Sequence, residues 1–148
     1  MPKPETSTDS IAVVAFDLIS PFHLATPCVV FGESHPGCPP INFKVCAAES
    51  GRLRTSAGFD IDVRYGLSAL QHAATIIVPS WRDVAESPPK SLLKALNVAH
   101  ERGAKIVGLC LGAFVLAEAG LLDGRKATTH WAYAKDFAAR YPAVHLDA

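Results

Sequence analysis

The stretch Lys105-Ile-Val-Gly-Leu-Cys-Leu-Gly-Ala-Phe-Val-Leu-Ala-Glu-Ala-Gly120 constrains this chain more than any other. Ile106 and Val107 are a short β-branched run of the kind found in buried strands. Ala113, Phe114, Leu116 and Ala117 then follow a helix-compatible pattern that Gly120 stops. Gly108 and Gly112 flank Cys110 two residues away on either side. Glycines so placed let a strand turn directly into a helix, because a Cβ at either position would meet the neighbouring element. The residue at the apex, Cys110, is pushed into an uncommon backbone conformation. It would sit at the start of a helix, a setting that in general favours thiolate. The pattern alone leaves two readings open: a reactive cysteine on an elbow, or a small core hydrophobe, the usual role of a free cysteine.

At 148 residues the chain is long enough for one domain with a full core. Its 14 basic and 14 acidic residues balance, which argues against an electrostatic nucleic-acid footprint. No apolar run approaches the roughly 18 residues of a membrane span. Residues 1–10 contain no apolar signal core and read as a disordered tail, with residues 11–148 as the domain. Cys28, Cys38, Cys46 and Cys110 show no metal-type spacing, so reduced thiols in a cytoplasm are expected, with no metal and no cofactor.

Ile11–Phe16 and Thr75–Val78 are continuous apolar runs of strand length, as expected for central parallel strands. Ile41–Ala47 alternates as a strand, and Leu53 with Ile61–Tyr65 suggests an edge hairpin. A helix is expected over Phe22–Phe31, kinked at Pro27 and ended by Gly32. A second is expected over Lys90–Arg102, with Leu92, Leu93, Leu96 and Ala99 on its apolar face. After the elbow, Ala127–His130 reads as a short strand, Trp131–Tyr141 as a helix and Val144–Leu146 as another extended segment. Alternating strands and helices imply an α/β fold: a three-layer α/β/α sandwich with a mainly parallel, doubly wound sheet of flavodoxin-like type. Ligands in such sheets bind beyond the carboxyl ends of the strands. Asp17–Phe22, Pro79–Trp81 and Cys110 all fall there, with Asp17 itself reading as a turn former.

The run from Gly108 to Trp131, with Ile19-Ser-Pro-Phe-His-Leu24, Val30-Phe-Gly32 and Val78-Pro-Ser-Trp-Arg82, closely resembles the ThiJ/PfpI superfamily. The resemblance covers roughly residues 11–147 and implies a class I glutamine amidotransferase-like fold. Within the superfamily the wording is nearest to the N-terminal sensor domains of AraC-type transcriptional regulators, with isonitrile hydratase a related enzyme. It implies that Cys110 is the elbow cysteine and that His130 lies close to it. It places His23 where many members carry a Glu or Asp that hydrogen-bonds the thiol. The N–H groups of Leu111 and of the Ser80–Trp81 turn would face the same pocket, like an oxyanion hole.

The chain departs from the family pattern at three of these places. His23 replaces the acid, Ser80 stands where relatives usually carry Gly, and Leu111 stands where the hydratases carry a hydroxyl residue. The bulky, apolar Leu111 beside the cysteine points to a modified or non-catalytic pocket, while a histidine at position 23 could still activate the thiol. The function implied is a ligand-sensing, dimerising regulatory domain, binding a small molecule through Cys110, Ser80, Trp81 and Leu111. DNA would be bound by a domain outside this chain, and the sensor domain itself would be incomplete at its C-terminus. An incomplete sheet would expose an edge and favour dimerisation or aggregation. The alternative is a cysteine-dependent hydratase or amidase-like enzyme, with Cys110 as nucleophile and His23 or His130 moving the proton. A third reading is a redox role for Cys110.

Overall fold

The computed structural model describes residues 10–147. Of the tail expected over residues 1–10, residues 1–9 lie outside the described residues, and Ser10 belongs instead to the first strand. Strand β1 (Ser10–Ala15) is buried almost throughout, as its continuous apolar run requires. It pairs in parallel with β2 (Asn42–Ala47) on one side and β5 (Thr75–Val78) on the other. β5 pairs in parallel with β6 (Lys105–Gly108). The order of this four-stranded sheet is β2-β1-β5-β6, and β6 forms one edge. The winding reverses between β1 and β5, which sets a topological switch point at their carboxyl ends. The expected architecture is therefore present: a mainly parallel, doubly wound sheet with flanking helices.

Helix α1 (Pro21–Pro27) begins with proline at its first position, where no N–H is needed. The kink expected at Pro27 takes the form of a π-helical turn over Cys28–Gly32. Antiparallel β3 (Leu53–Arg54) and β4 (Asp60–Ile61) make the predicted hairpin, but β4 ends sooner than expected. Tyr65 instead makes an isolated bridge to Cys46 on β2, where its carbonyl accepts the Ala47 N–H at 2.8 Å. A 3₁₀ turn (Leu67–His72) precedes β5.

Helix α2 (Lys90–Glu101) buries Leu92, Leu96 and Ala99 at the predicted spacing. Each of the two leucines, at 0% exposure, contributes roughly 1.5–3 kcal/mol. Arg102 donates to the carbonyls of Leu70 and Ala73 at 3.0 Å. It thereby ties α2 to the 3₁₀ turn.

The C-terminal part differs more from the sequence reading. The strand expected over Ala127–His130 shrinks to β7 (Lys126–Ala127). β7 pairs in parallel with β8 (His145–Leu146) in a separate two-stranded sheet. Thr129 leaves the strand because its hydroxyl donates to the Cys110 carbonyl at 3.1 Å. Such side chain-to-backbone bonds compete with a ladder. The single helix expected over Trp131–Tyr141 divides into a 3₁₀ turn (Trp131–Tyr133) and α4 (Ala134–Arg140). Trp131 is 84% exposed, so it is no core residue.

Candidate functional site: the cysteine elbow

β6 ends at Gly108 and helix α3 (Gly112–Glu118) starts four residues later, with Cys110 between them. Cys110 adopts φ +52°, in the left-handed region that ordinary residues avoid. The two glycines explain how. A Cβ on Gly112 would collide with the Val78 carbonyl oxygen and lie 3.5 Å from the Ser80 nitrogen. A Cβ on Gly108 would lie 3.1 Å from the Gly112 backbone and from Leu116. The end of β5, the elbow and the first turn of α3 are thus packed backbone to backbone. Leu18, just past the end of β1, is the other non-glycine residue with positive φ, at +62°, among the described residues. Both strained residues sit at the carboxyl ends of sheet strands, where ligands of such folds bind.

The expected site residues fall around this elbow as follows. Cys110 is half-buried rather than fully exposed, and Leu111 is half-buried as the N-cap of α3. Among the described residues, the N–H groups of Cys110 and Leu111 donate to no protein acceptor. Ser80 is buried and its nitrogen faces Gly112. Trp81 is 2% exposed, with its ring against Phe16 at 5.0 Å and its indole N–H on the Glu86 carbonyl at 2.8 Å. Its ring is thus packed into the core. Thr129, which the sequence reading gave no role, ties the segment before His130 to the elbow.

The histidines are engaged elsewhere. His23 Nδ1 is 2.9 Å from Ser20 Oγ and hydrogen-bonded to it. His130 Nδ1 accepts the Ala132 N–H at 3.2 Å, and its ring stacks on Trp131 at 5.7 Å. Among the described residues, no hydrogen bond joins the Cys110 thiol to either imidazole. None of the four clefts described on the surface has Cys110, His23 or His130 in its walls.

One of those clefts lies at the switch point. It has a volume of about 540 Å³ and is lined by Asp17, Leu18, Arg54, Ser56, Arg82, Asp83 and Glu86. Asp17, read from sequence as a turn former, accepts a bidentate guanidinium from Arg54, at 2.6 Å for Nη2, and the Arg54 backbone N–H at 2.8 Å. The Arg54 side-chain bonds, then this backbone bond, hold the Asp17 carboxyl down at about 2. Arg82 donates to both Glu86 oxygens, to Glu49 and to the Asp17 carbonyl. Asp17 lies far in sequence from Arg54 and Arg82, and Glu49 far from Arg82, so no spacing signal marked these contacts.

Asp17 has a lowered value in the folded state, so it stabilises the fold above its ordinary 3.8, and that stability is lost as pH falls from there towards about 2. Arg54→Met should therefore show a smaller loss of stability than wild type between about pH 4 and pH 2. Denaturant midpoints across that window check it.

A second expected outcome concerns the elbow strain. A left-handed non-glycine residue costs about 1–2 kcal/mol, and glycine returns roughly half of that relief as unfolded-chain entropy. Cys110→Gly should thus be more stable than Cys110→Ala by roughly 0.5–1 kcal/mol, measured by urea unfolding.

A family model described as the DJ-1/PfpI family matches residues 9–145. The chain belongs to the DJ-1/PfpI family. It is 31% identical over 134 residues to an uncharacterized protein in the cpoL 5′ region of Streptomyces lividans, covering 90% of this chain and 95% of that one. It is 32% identical over 102 residues to the HTH-type transcriptional regulator CdhR of Pseudomonas aeruginosa, covering 69% of this chain. The match spans only 30% of the length of CdhR. The fold is shared with an AraC family transcriptional regulator from Pseudomonas putida, at a TM-score of 0.66 and 18% identity, over 93% of this chain and 75% of that one. In this DJ-1/PfpI chain the elbow cysteine adopts a strained backbone, and His23 is bonded to Ser20.

Proposed function

We propose that this chain is the ligand-sensing, dimerising domain of an AraC-type transcriptional regulator, working in the cytoplasm. DNA would be bound by a helix-turn-helix unit outside these residues. The observation that carries the reading is an elbow retained without a proton-transfer partner: Cys110 stays at φ +52°, yet neither His23 nor His130 bonds its thiol. Similarity to an HTH-type regulator over 102 residues supports the same reading. Among the described residues no helix is long and apolar enough to cross a membrane.

The elbow's chemistry suits binding. The Cys110 and Leu111 N–H groups can donate to a carbonyl or carboxylate oxygen of a ligand, and the thiol and the Leu111 side chain supply an apolar wall. The ligand proposed is a small nitrogen-containing or amphipathic metabolite. Thermal unfolding against a panel of such metabolites tests the reading. A saturable rise in midpoint is expected for wild type and not for Cys110→Trp, whose side chain would fill the site.

The second reading, a cysteine-dependent hydratase or amidase-like hydrolase, draws on the same unbonded N–H groups as an oxyanion hole. It requires His23 or His130 to leave its present partner and reach the thiol.

A further inference from the structure

A cleft of about 350 Å³ lies between α2 and the 3₁₀ turn Leu67–His72. Helix α2 lines it with Ser91, Lys94, Ala95 and Val98, positions i, i+3, i+4 and i+7 of one stripe. That stripe runs beside the core stripe of Leu92, Leu96 and Ala99. Ala95 and Ala99 carry only a methyl group, which leaves a groove between the helix and the leucines of the turn, Leu67 and Leu70. Leu70 and Ala99 are each 1% exposed and form its floor. Val98, 49% exposed, is the only large apolar residue that α2 leaves in solvent among the described residues. A β-branched residue adds little to a helix, so the helix itself gains nothing from having it there. The walls are held in place. Arg102 clamps α2 to the turn through the Leu70 and Ala73 carbonyls, and Leu67 and Ala95 pack against the core.

The rim of the cleft is polar, and its charge has one sign. Ser68, Gln71, Ser91 and Lys94 stand exposed around the apolar floor. Among the described residues, none of these four side chains makes a hydrogen bond or an ion pair. No Asp or Glu occurs between Asp62 and Asp83, the stretch that holds the turn. None occurs between Glu86 and Glu101 either, the stretch that holds all of α2 before its last residue. Lys94 is thus a cation with no protein counter-ion, placed at the mouth of an apolar cleft. Its methylene stem can lie along the helix wall while the ammonium stays at the rim.

We infer that this cleft binds an amphiphilic monocarboxylate, with its apolar tail between α2 and the 3₁₀ turn and its carboxylate on Lys94 at the rim. The floor fixes the tail, since an apolar chain laid over Leu70, Ala99 and Val98 removes its own surface and theirs from water. The rim fixes the head. A carboxylate meets Lys94 and the unbonded hydroxyl and amide donors of Ser68, Ser91 and Gln71, whereas a cationic head would meet only like charge. The volume fixes the size. It lies near the lower end of small-molecule sites and suits a tail of about eight carbons. Cys110, His23 and His130 take no part in the walls, so the cleft is separate from the elbow. The inference therefore stands whether or not the elbow senses a ligand.

The test is calorimetric titration of the full chain with sodium octanoate. One saturable site per chain is expected, with a Kd on the order of 0.1–1 mM. From hexanoate to octanoate, each added methylene should tighten binding about fourfold. Octylammonium should bind at least tenfold more weakly than octanoate. Lys94→Met should weaken octanoate at least fivefold. Ala95→Leu, whose larger side chain fills the groove, should abolish binding. Lys94 is exposed and Ala95 half-buried, and methionine and leucine are good helix formers, so far-UV circular dichroism of both variants should match wild type. No saturable binding, octylammonium binding as tightly as octanoate, or an affinity unchanged in both variants would each overturn the proposal. Loss of octanoate binding in a folded Cys110→Trp would place the ligand at the elbow and overturn it as well. Light scattering covers the remaining occupant: a wild-type dimer that Ala95→Leu converts to monomer, with no octanoate bound, would assign the cleft to a second copy of the chain instead.

Discussion

Gly112→Ala is expected to cost about 3 kcal/mol or more, the largest single effect at any glycine of the described chain. The added methyl would run into the Val78 carbonyl oxygen, a backbone atom that cannot turn aside as a side chain would. Val78 is the last residue of β5 and its carbonyl accepts the Leu109 N–H at 2.9 Å. Relieving the clash means separating β5 from the elbow, which breaks that bond and opens the contact of α3 with the sheet. The control is Gly124→Ala, where nothing lies within 4 Å but φ is +73°. It should lose only the backbone strain, about 1–2 kcal/mol. Urea unfolding of both variants checks the contrast. Equal losses would mean that close packing at the elbow is not what makes Gly112 necessary.

Arg82→Ala is expected to cost about 2–3 kcal/mol. The Arg82 side chain is 13% exposed and reaches Glu49 at 2.5 Å and Glu86 at 2.7 Å. It also donates to the Asp17 carbonyl at 3.2 Å and lies over the Trp81 ring at 4.5 Å. One guanidinium thus ties together the segments that follow β1, β2 and β5. Glu86 is 46% exposed, so its half of the network is screened and adds little. The main loss is at Glu49, 27% exposed, which would be left without its cation, and at Trp81, which would lose its cover. Arg82→Lys should recover less than half, because an ammonium cannot meet three partners in one plane. Denaturant unfolding gives both values. A loss below about 0.5 kcal/mol for alanine would reduce Arg82 to an ordinary surface ion pair.

The sequence made the elbow legible because its determinants are local. Gly108, Cys110 and Gly112 lie within five residues, and the chain can meet their steric requirement in few ways. β1, β5 and α2 were legible for a similar reason, since buried strands and amphipathic helices write their burial into consecutive residues. The losses came where a long-range contact decided the local state. Thr129 and His130 have strand-like neighbours, but the Thr129 hydroxyl is taken by Cys110, nineteen positions away. Asp17 reads as a turn former until Arg54, on a distant hairpin, is folded against it. The candidate site was legible in part. Its backbone geometry follows from the motif, whereas the partners of His23 and His130 depend on rotamers that no spacing rule supplies.

The central claim is that the Cys110 elbow binds without turnover. It is tested most directly by mixing wild type and Cys110→Ala with a metabolite that raises the thermal midpoint, and following binding by calorimetry and the metabolite's mass in the same samples. Both proteins are expected to bind it, with affinities within about tenfold, since the thiol supplies one contact among several worth less than about 1.4 kcal/mol. The metabolite is expected to be recovered unchanged. Consumption of the metabolite by wild type and not by Cys110→Ala would contradict it and make Cys110 a catalytic nucleophile.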